Sequence, residues 1–236
     1  MTVIRIPGVH NLRDVGGIPV GESRVRDGVL LRSAQLAQLT PAGQGRLRSL
    51  VARVIDLRDD AEVLREPSAL TGVPVERVPL LLGSVESFFA ADTDLEGLYR
   101  HLVDDCATQL VAAVRILSDG EPTLVHCTVG KDRTGVVVAL ALSAVGADRD
   151  AVVADYALTA SQLPVERNRA VVEYLRTHLP DARNAIQLAT ESPETVMAAL
   201  LADLEQRYGS VAAYLQASGL TDAELQALRV ALVMEG

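Results

Sequence analysis

The segment 124–135 concentrates the residue types that bind and attack an anion, namely a cysteine, an arginine, a lysine and two glycines. An apolar strand pattern precedes the loop and a long apolar helix pattern follows it. A loop between a strand and a helix N-terminus points successive backbone N–H groups at one spot, and the helix dipole adds partial positive charge. The segment therefore predicts an anion site at the carboxyl end of a strand.

Cys127 and Arg133 stand six positions apart in this segment. Converging N–H groups favour the thiolate, which is the nucleophilic form of a cysteine. A planar guanidinium can grip two oxygens of a phosphate, which a lysine cannot do. The pair predicts in-line attack of Cys127 on phosphorus with a phosphocysteine intermediate, and Thr134 is expected to give its hydroxyl to the departing sulfur.

The other loop residues are expected to surround the phosphate. Thr128, Val129 and Gly130 supply backbone N–H groups, and glycine permits a positive φ or a close backbone approach. His126 is expected to fix the loop through its ring N–H. Lys131 is the only lysine among 22 lysines and arginines, and we expect its ammonium to contact substrate.

Alternating strand and helix patterns predict an α/β fold that would position this loop. Strands are expected at 29–31, 51–57, 74–82 and 123–125, and helices at 42–50, 106–118 and 136–145. Amphipathic patterns at 150–159, 165–178, 193–208 and 221–233 predict a helical last third. We find no linker-like stretch and no internal repeat, so residues 1–236 are expected to form one domain.

The 236 residues have the composition of a globular protein, with 49% hydrophobic and 22% charged residues. A net charge of −9 argues against nucleic-acid binding, which usually needs a basic face. No stretch is apolar enough for stable membrane insertion, and residues 1–20 lack a signal-peptide pattern. Cys106 and Cys127 cannot make a disulfide framework in a chain of this length, so a cytoplasmic location is expected.

The loop and several flanking motifs resemble a known family. The spacing Cys-(x)5-Arg-Thr is similar to the signature of the cysteine-dependent phosphatases, the tyrosine and dual-specificity superfamily. Further motifs resemble the bacterial tyrosine and phosphoinositide phosphatase family, namely Asn11-Leu-Arg-Asp14, Leu31-Arg32-Ser33, Asp56-Leu-Arg58, Asp155-Tyr156 and Tyr208-Gly-Ser210. This resemblance covers nearly the whole chain. It implies a central, mostly parallel sheet flanked by helices, and hydrolysis of phosphotyrosine without metal or other cofactor, with phosphoserine, phosphothreonine and phosphoinositides as further substrates.

The sequence departs from the family's pattern at the general acid. Tyrosine phosphatases usually bring this acid on a separate loop, and the family has an aspartate just after the third strand. Residues 78–84 contain no carboxylate, and Glu86, Asp92 and Asp94 do not match the position. Asp132 adjoins Arg133 within the loop, so we expect it to protonate the leaving-group oxygen. The alternative is that Asp132 only holds the loop by hydrogen bonding.

Two further expectations concern specificity and access. The resemblance implies that Lys131 meets additional ring phosphates of a phosphoinositide, and the alternative is that it packs against the loop. Mycobacterial members of the family carry a long lid between the third strand and the helix before the loop. The interval 83–105 is short here, which predicts a more open site. Phe88 and Phe89 are expected either to line its mouth or to pack.

Other interpretations stay open. A phosphate-binding pseudophosphatase without turnover would keep the same loop, and a rhodanese-like sulfur-transfer site would also place a cysteine there. Arg32 and Arg58 could reach substrate, or pair with Asp14, Asp56 or Asp59 to pin the N-terminal segment. Cys106 is expected in the core, with a protective disulfide to Cys127 as the alternative. The partner expected in either phosphate-binding case is a phosphorylated protein or phosphoinositide.

Overall fold

The strands of the described residues form a six-stranded mixed sheet and a separate two-stranded pair. The computed structural model describes residues 1–80, 92–181 and 183–234. Its strands are β1 (Thr2–Val3), β2 (Arg13–Asp14), β3 (Pro19–Val20), β4 (Ser23–Arg24), β5 (Leu30–Ser33), β6 (Arg53–Asp56), β7 (Val75–Arg77) and β8 (Thr123–His126). The large sheet has the order β1-β2-β5-β8-β6-β7. Strands β5, β8, β6 and β7 run parallel, whereas β1 and β2 join antiparallel at one edge.

Helices cover both faces of this sheet. They are α1 (Pro41–Arg48), α2 (Asp60–Arg65), α3 (Leu95–Asp105), α4 (Ala107–Ile116), α5 (Asp132–Ala144), α6 (Arg149–Gln162), α7 (Val165–His178), α8 (Ala185–Thr190), α9 (Glu194–Tyr208), α10 (Val211–Ala217) and α11 (Asp222–Leu232). The predicted α/β class, the mostly parallel central sheet and the helical last third are confirmed. Among the described helices, none is long and apolar enough to cross a membrane.

Strand β8 carries the loop at the centre of the sheet, between β5 and β6, and all of its residues are buried. Successive side chains of a strand point to opposite faces. Leu124 therefore packs into the smaller apolar cluster, which includes Leu47 of α1, and Val125 packs into the larger one, which includes most of α5. The carboxyl end of β8 delivers His126 and Cys127 to the loop.

Helix α5 is buried along residues 133–142, which explains why its sequence is apolar on all sides. The helix begins at Asp132, whereas the apolar run predicted a start at Val136. The apolar pattern shows only where hydrocarbon burial begins, and the helical backbone starts with the polar turn before it. Arg133 and Thr134 consequently lie in the first turn of the helix.

Short elements were missed by the sequence prediction. Helices α2 and α8 have six residues each and α10 has seven, which is too few for a helical period to stand out. Helix α3 was also missed within the interval treated only as a short connection. The strand expected at 74–82 is limited to Val75–Arg77. Positions 81 and 82, Glu86, Phe88 and Phe89 lie outside the described residues.

Candidate active site

The loop between β8 and α5 places Cys127 at its base. Only 3% of Cys127 is exposed, and the backbone N–H of Gly130 donates to its Sγ at 3.3 Å. The ring Nδ1 of His126 lies 3.1 Å from the carbonyl oxygen of Cys127. Burial lowers the pKa of His126, so the ring is neutral at pH 7 and its Nδ1–H donates to that carbonyl. His126 thus lies beneath the loop and fixes its backbone.

Gly130 turns the loop with a φ of +71°. A Cβ at this position would lie 2.2 Å from the carbonyl oxygen of Ser33, so the site requires glycine. The side-chain amide of Asn11 donates to the carbonyl oxygens of Val129 at 3.2 Å and of Gly130 at 3.0 Å. In a trans peptide the N–H points away from the preceding carbonyl. These contacts therefore turn the N–H groups of Gly130 and Lys131 toward the inside of the loop.

A buried ion cluster supports the outer surface of the loop. Arg13 and Arg32 pair with Asp155 at 2.7 Å and 2.5 Å, and all three side chains are at most 2% exposed. Arg32 also donates to the carbonyl oxygen of Gly130 at 2.8 Å, and Arg13 donates to the side-chain oxygen of Asn11. Burial and the charge of Arg32 lower the pKa of Arg13 to about 10. Burial would raise the pKa of Asp155, but the two guanidinium charges lower it below its usual range.

Arg133 binds the carboxylate of Glu62, which lies in α2. The Nη1 and Nη2 atoms of Arg133 each lie 2.6 Å from a different Glu62 oxygen. The hydroxyl of Thr128 also donates to Glu62, and the N–H of Asp59 donates to it at 3.0 Å within a capping box. Nη1 additionally donates to the carbonyl oxygen of Leu57 at 3.3 Å. Glu62 is thus held on both oxygens, and it fixes the plane of the guanidinium.

Glu62 and Arg133 keep opposite charges over a wide pH range. Burial alone would raise the pKa of Glu62, but the hydrogen bonds and charge of Arg133 outweigh it and lower that pKa to about 2. Burial likewise opposes the charge on Arg133, but Glu62 and the sulfur of Cys127 raise the pKa of the guanidinium above its usual value. Within the described residues, Nε of Arg133 forms no hydrogen bond. One N–H of the guanidinium is therefore left for an anion.

Asp132 is the first residue of α5, and two donors contact the same oxygen of its carboxylate. The hydroxyl of Tyr99, in α3, donates to Oδ1 at 2.9 Å, and Nζ of Lys131 lies 3.3 Å from that oxygen. The hydroxyl of Tyr156, in α6, lies 2.8 Å from the Tyr99 hydroxyl. The Asp132 side chain is 20% exposed. One anchored oxygen and partial exposure are compatible with proton transfer to a bound ligand.

Lys131 has a different environment from the one expected. Its side chain is fully buried, and its ammonium donates to the carbonyl oxygens of Leu188 at 2.6 Å and of Glu191 at 2.7 Å. Both carbonyls lie at the C-terminal end of α8, where carbonyl groups lack helical partners. Lys131 therefore fastens α8 to the loop, and the alternative of packing describes this geometry better than an ammonium free to meet substrate.

A cavity of about 310 Å³ lies over the loop. Cys127, Asp132 and Arg133 line it together with Thr128 and Val129. The other wall is mainly apolar and aromatic, with Leu98, Val171, Tyr174, Leu175, Leu188 and Ala189, and the charged residues Glu62, Lys131 and Arg167 also line the cavity. Most of these residues belong to α7 and α8, which follow the loop in the chain. These later helices line the cavity over the loop, and the expectation of a more open site stays a prediction.

Comparisons with known proteins show which family has a chain like this one. A family model described as "Tyrosine phosphatase family" matches residues 4–234. The chain belongs to the tyrosine phosphatase family. It is 30% identical over 284 aligned residues to the triple specificity protein phosphatase PtpB of Mycobacterium tuberculosis, covering 99% of this chain and 100% of that protein.

Two more distant similarities accompany these. A tyrosine-protein phosphatase of Nostoc commune is 26% identical, over 87% of this chain and 74% of that protein. The crystal structure of P. aeruginosa TpbA covers 71% of this chain and 89% of its own, with 22% identity and a TM-score of 0.38, which is too distant to support an argument about the site. The family match and the full-length relative make this chain a protein tyrosine phosphatase.

This tyrosine phosphatase does not form every contact that the sequence predicted. The hydroxyl of Thr134 is buried and has no hydrogen-bond partner among the described residues, so the predicted contact with the Cys127 sulfur is not made here. No disulfide joins Cys106 and Cys127, so the alternative of a protective disulfide between them is not realised. The part of the chain that the structure describes contains no group of three or more His, Cys, Asp or Glu arranged to hold a metal.

The arginines and acids near the strand ends have structural partners. Arg58 pairs with Asp56 at 2.7 Å, which was one of the expected pairings. Arg32 pairs instead with Asp155, more than 120 positions away in the sequence, and not with Asp14, Asp56 or Asp59. Asp94 caps α3 by accepting from Gly97, and Asp92 accepts from the N–H of Asn184 at 2.7 Å. Asp94 thus has a role in local structure, whereas Asp92 binds a segment 92 positions later in the chain.

Sequence reasoning missed Glu62 and Tyr99. A signal for Glu62 was present, because Asp59 and Glu62 have the spacing of a capping box directly after a strand. That signal predicts a helix start, but it does not show that the same carboxylate binds Arg133, 71 positions later. Tyr99 carries no local signal, since a tyrosine among apolar residues of a helix usually belongs to the core.

Proposed function

We propose that this protein hydrolyses phosphotyrosine by covalent catalysis, with Cys127 as the nucleophile and a phosphocysteine intermediate. The observation that carries the proposal is that Cys127, Arg133 and Asp132 line one cavity. A nucleophile, an anion-binding group and a proton donor are the groups that this chemistry requires.

In the first step, the Cys127 sulfur attacks phosphorus, so that an S–P bond forms and the P–O bond to the phenolic oxygen breaks. The guanidinium of Arg133 and the N–H groups of the loop stabilise the negative charge of the phosphoryl oxygens in the transition state. Asp132 gives its proton to the leaving oxygen, and tyrosine departs as the neutral phenol. The enzyme then holds a phosphocysteine and an ionised Asp132.

In the second step, water attacks the phosphocysteine, the S–P bond breaks and inorganic phosphate is released. Asp132 accepts the proton of the attacking water and returns to its starting form. We assign Thr134 the role of donating its hydroxyl to the sulfur as the thiolate leaves. The lack of a partner for this buried hydroxyl among the described residues supports that role, because such a group costs free energy unless it gains one.

The wall of the cavity supports an aromatic substrate. Apart from Arg167, it is formed by leucine, valine and alanine side chains with Tyr174, and apolar contacts favour a phenyl ring over the short side chain of phosphoserine. We therefore expect phosphotyrosine to be the best protein substrate, with phosphothreonine and phosphoserine turned over more slowly.

The test of covalent catalysis is Cys127→Ser with para-nitrophenyl phosphate and a phosphotyrosine peptide. The serine hydroxyl is a far weaker nucleophile at neutral pH, so we expect no measurable turnover, and chelators should leave the wild type unaffected. Cys106→Ala is the matched control, since it removes the other buried thiol and should keep turnover. Near-native kcat in Cys127→Ser contradicts the mechanism. A wild type that binds the peptide without releasing phosphate is instead a pseudophosphatase.

Phosphoinositides are a second candidate substrate class, favoured by the position of Lys131 on the cavity wall. For its ammonium to meet ring phosphates, it must exchange the carbonyl oxygens of Leu188 and Glu191 for the ligand. Lys131→Met should then lower turnover of a soluble phosphoinositide more than turnover of a phosphotyrosine peptide. An equal loss on both substrates would mean that Lys131 only fastens α8 to the loop.

A cytoplasmic location is proposed with either substrate and is tested by cell fractionation.

A further inference from the structure

Tyr99 is a buried side chain whose hydroxyl contacts a residue of the active site. It is 1% exposed, and its hydroxyl lies 2.9 Å from Oδ1 of Asp132 and 2.8 Å from the hydroxyl of Tyr156. A phenol has one proton, so it donates to one of these groups and accepts from the other. With Asp132 ionised, the chain of donors runs from Tyr156 to Tyr99 to Asp132.

We propose that Tyr99 is a positioning residue for proton transfer, which holds Oδ1 of Asp132 so that Oδ2 carries the proton to the leaving group. The inference rests on the proposed role of Asp132 as the general acid. Tyr99 itself does not touch the reacting atoms, and it acts only through the carboxyl group.

The donors around Asp132 decide which oxygen carries the proton. Oδ1 faces the hydroxyl of Tyr99 and the ammonium of Lys131, which lies 3.3 Å away. An ammonium has only donors, and an oxygen that accepts from a donor on each side has no room for its own proton. Oδ2 makes no hydrogen bond or ion pair to any described residue. The proton of the neutral acid therefore resides on Oδ2, on a residue that lines the cavity.

The phenol is suited to hold the carboxyl group without exchanging protons with it. Burial raises the pKa of Tyr99 well above its usual value, and the charges of Asp132 and Tyr156 add to this effect. Tyr99 therefore stays neutral through the reaction cycle. It remains a hydrogen-bond donor when Asp132 becomes ionised, and it stabilises that ionised form.

The two tyrosine rings are held in place by their packing. Their centroids are 5.8 Å apart and their planes cross at 80°, an edge-to-face arrangement that is favourable for aromatic rings. A Cβ on Gly135 would lie 3.0 Å from the ring of Tyr156, so the glycine in the first turn of α5 makes room for that ring. The hydroxyl of Tyr99 consequently has a fixed position relative to Asp132.

The test compares Tyr99→Phe with Tyr214→Phe on two substrates. Para-nitrophenyl phosphate has a good leaving group that needs little protonation, whereas phenyl phosphate has a poor one. We expect Tyr99→Phe to lower kcat/KM about 10-fold on phenyl phosphate and less than about 2-fold on para-nitrophenyl phosphate. Tyr214 is an equally buried tyrosine whose hydroxyl donates to the carbonyl oxygen of Val103 at 2.7 Å. Its variant should change both substrates by the same factor.

Asp132→Asn separates failure of this inference from failure of the mechanism. It should lower kcat/KM on phenyl phosphate by about 10²-fold or more, and adding Tyr99→Phe in that background should cause no further loss, because the two residues act through one proton. If Asp132→Asn shows the leaving-group dependence and Tyr99→Phe does not, the positioning role is wrong and the mechanism stands. If Asp132→Asn affects both substrates equally, Asp132 is not the acid and the inference falls with it.

Tyr156→Phe keeps the inference testable if Tyr99→Phe is poorly folded. It removes the hydroxyl that donates to Tyr99 and leaves the Tyr99 contact with Asp132 in place. We expect a smaller loss, about 3-fold, again confined to phenyl phosphate. Equal losses on the two substrates in both tyrosine variants, or a further loss in the Asp132→Asn background, overturn the proposal.

Discussion

Two buried guanidinium–carboxylate pairs flank the phosphate-binding loop, and they differ in access to the cavity. Arg133 pairs with Glu62 at 2.6 Å, and Arg32 pairs with Asp155 at 2.5 Å. The Arg32 side chain is 1% exposed and belongs to a sealed cluster, whereas Arg133 is 9% exposed and lines the cavity. We therefore propose that the same kind of ion pair is a scaffold where it is sealed and an anion-binding group where part of the guanidinium stays open.

The two regions also differ in net charge. Glu62 balances Arg133, so the open pair, which lines the cavity, is neutral. In the sealed cluster, Asp155 faces two guanidinium groups, Arg13 and Arg32, which leaves one positive charge beneath the loop. In a protein with a net charge of −9, we expect this charge to help attract a phosphate dianion to the loop. On the proposed function, the scaffold contributes to binding through its electrostatic field, and the open pair through direct contact.

Asp155→Asn removes the counter-charge of the sealed cluster and should have the largest effect on stability. It leaves two buried guanidinium groups without a carboxylate, and breaking a buried pair in this way costs about 3–5 kcal/mol. Urea denaturation at pH 7 measures the change. Asp119→Asn is the control, because Asp119 pairs with Arg53 at the surface and is 46% exposed, so it should change stability little. A loss below about 1 kcal/mol in Asp155→Asn would show that the cluster is not a scaffold.

Arg133→Lys should mainly affect activity. It keeps a positive charge beside Glu62 but loses the planar group that binds both Glu62 oxygens and leaves its Nε–H for a phosphoryl oxygen. We expect kcat/KM on para-nitrophenyl phosphate to fall about 10²–10³-fold, with a smaller loss of stability than in Asp155→Asn. The comparison variant is Arg32→Lys. It should lower the urea midpoint more than Arg133→Lys does, and it should lower the kcat/KM of the folded enzyme less. Parallel losses in both variants contradict the division of roles.

The local parts of this arrangement could be predicted from the sequence. The order strand, Cys127 loop and apolar helix follows from residue periodicity and from the spacing between Cys127 and Arg133, and the α/β architecture follows from the alternation of patterns. The start of α5 was misplaced because apolar periodicity reports burial rather than backbone conformation. The first polar turn, which carries Asp132 and Arg133, has no such periodicity.

The partners of the site residues could not be predicted, because they are distant in sequence. Glu62 meets Arg133, and Asp155 meets Arg32, only after the sheet has formed, and the local signals at these carboxylates, a capping box at Glu62 and the Asp155-Tyr156 motif, do not name the arginine that each one binds. The partner of Lys131 could not be predicted either, although the residue itself stood out in the sequence. As the only lysine of the chain it indicated a ligand contact, but the short helix α8 supplies carbonyl groups that bind it, and that helix was itself missed.

Glu62→Gln should have the smallest effect of these variants. The dependence of its stability loss on pH shows whether the charge of Glu62 is responsible. The pKa of Glu62 falls from its usual 4.5 to about 2 in the folded protein, so the ionised carboxylate stabilises the native state at every pH above 4.5. This stabilisation decreases as the pH falls from 4.5 toward 2, where the native carboxyl group becomes protonated. A change from 4.5 to about 2 corresponds to about 3.4 kcal/mol, and partial screening by solvent reduces this to about 2–3 kcal/mol.

The measurement is the difference in free energy of unfolding between wild type and Glu62→Gln across the acidic range. We expect the wild type to be more stable by about 2–3 kcal/mol at pH 7, and the difference to approach zero near pH 2, where a protonated glutamate resembles glutamine. Asp60→Asn, in the same helix but with a side chain 92% exposed, should show little difference at any pH. A constant difference for Glu62→Gln would mean that its packing matters and its charge does not. In that case Arg133 owes its orientation to the carbonyl oxygen of Leu57 and the hydroxyl of Thr128, and the open pair is not the counterpart of the sealed one.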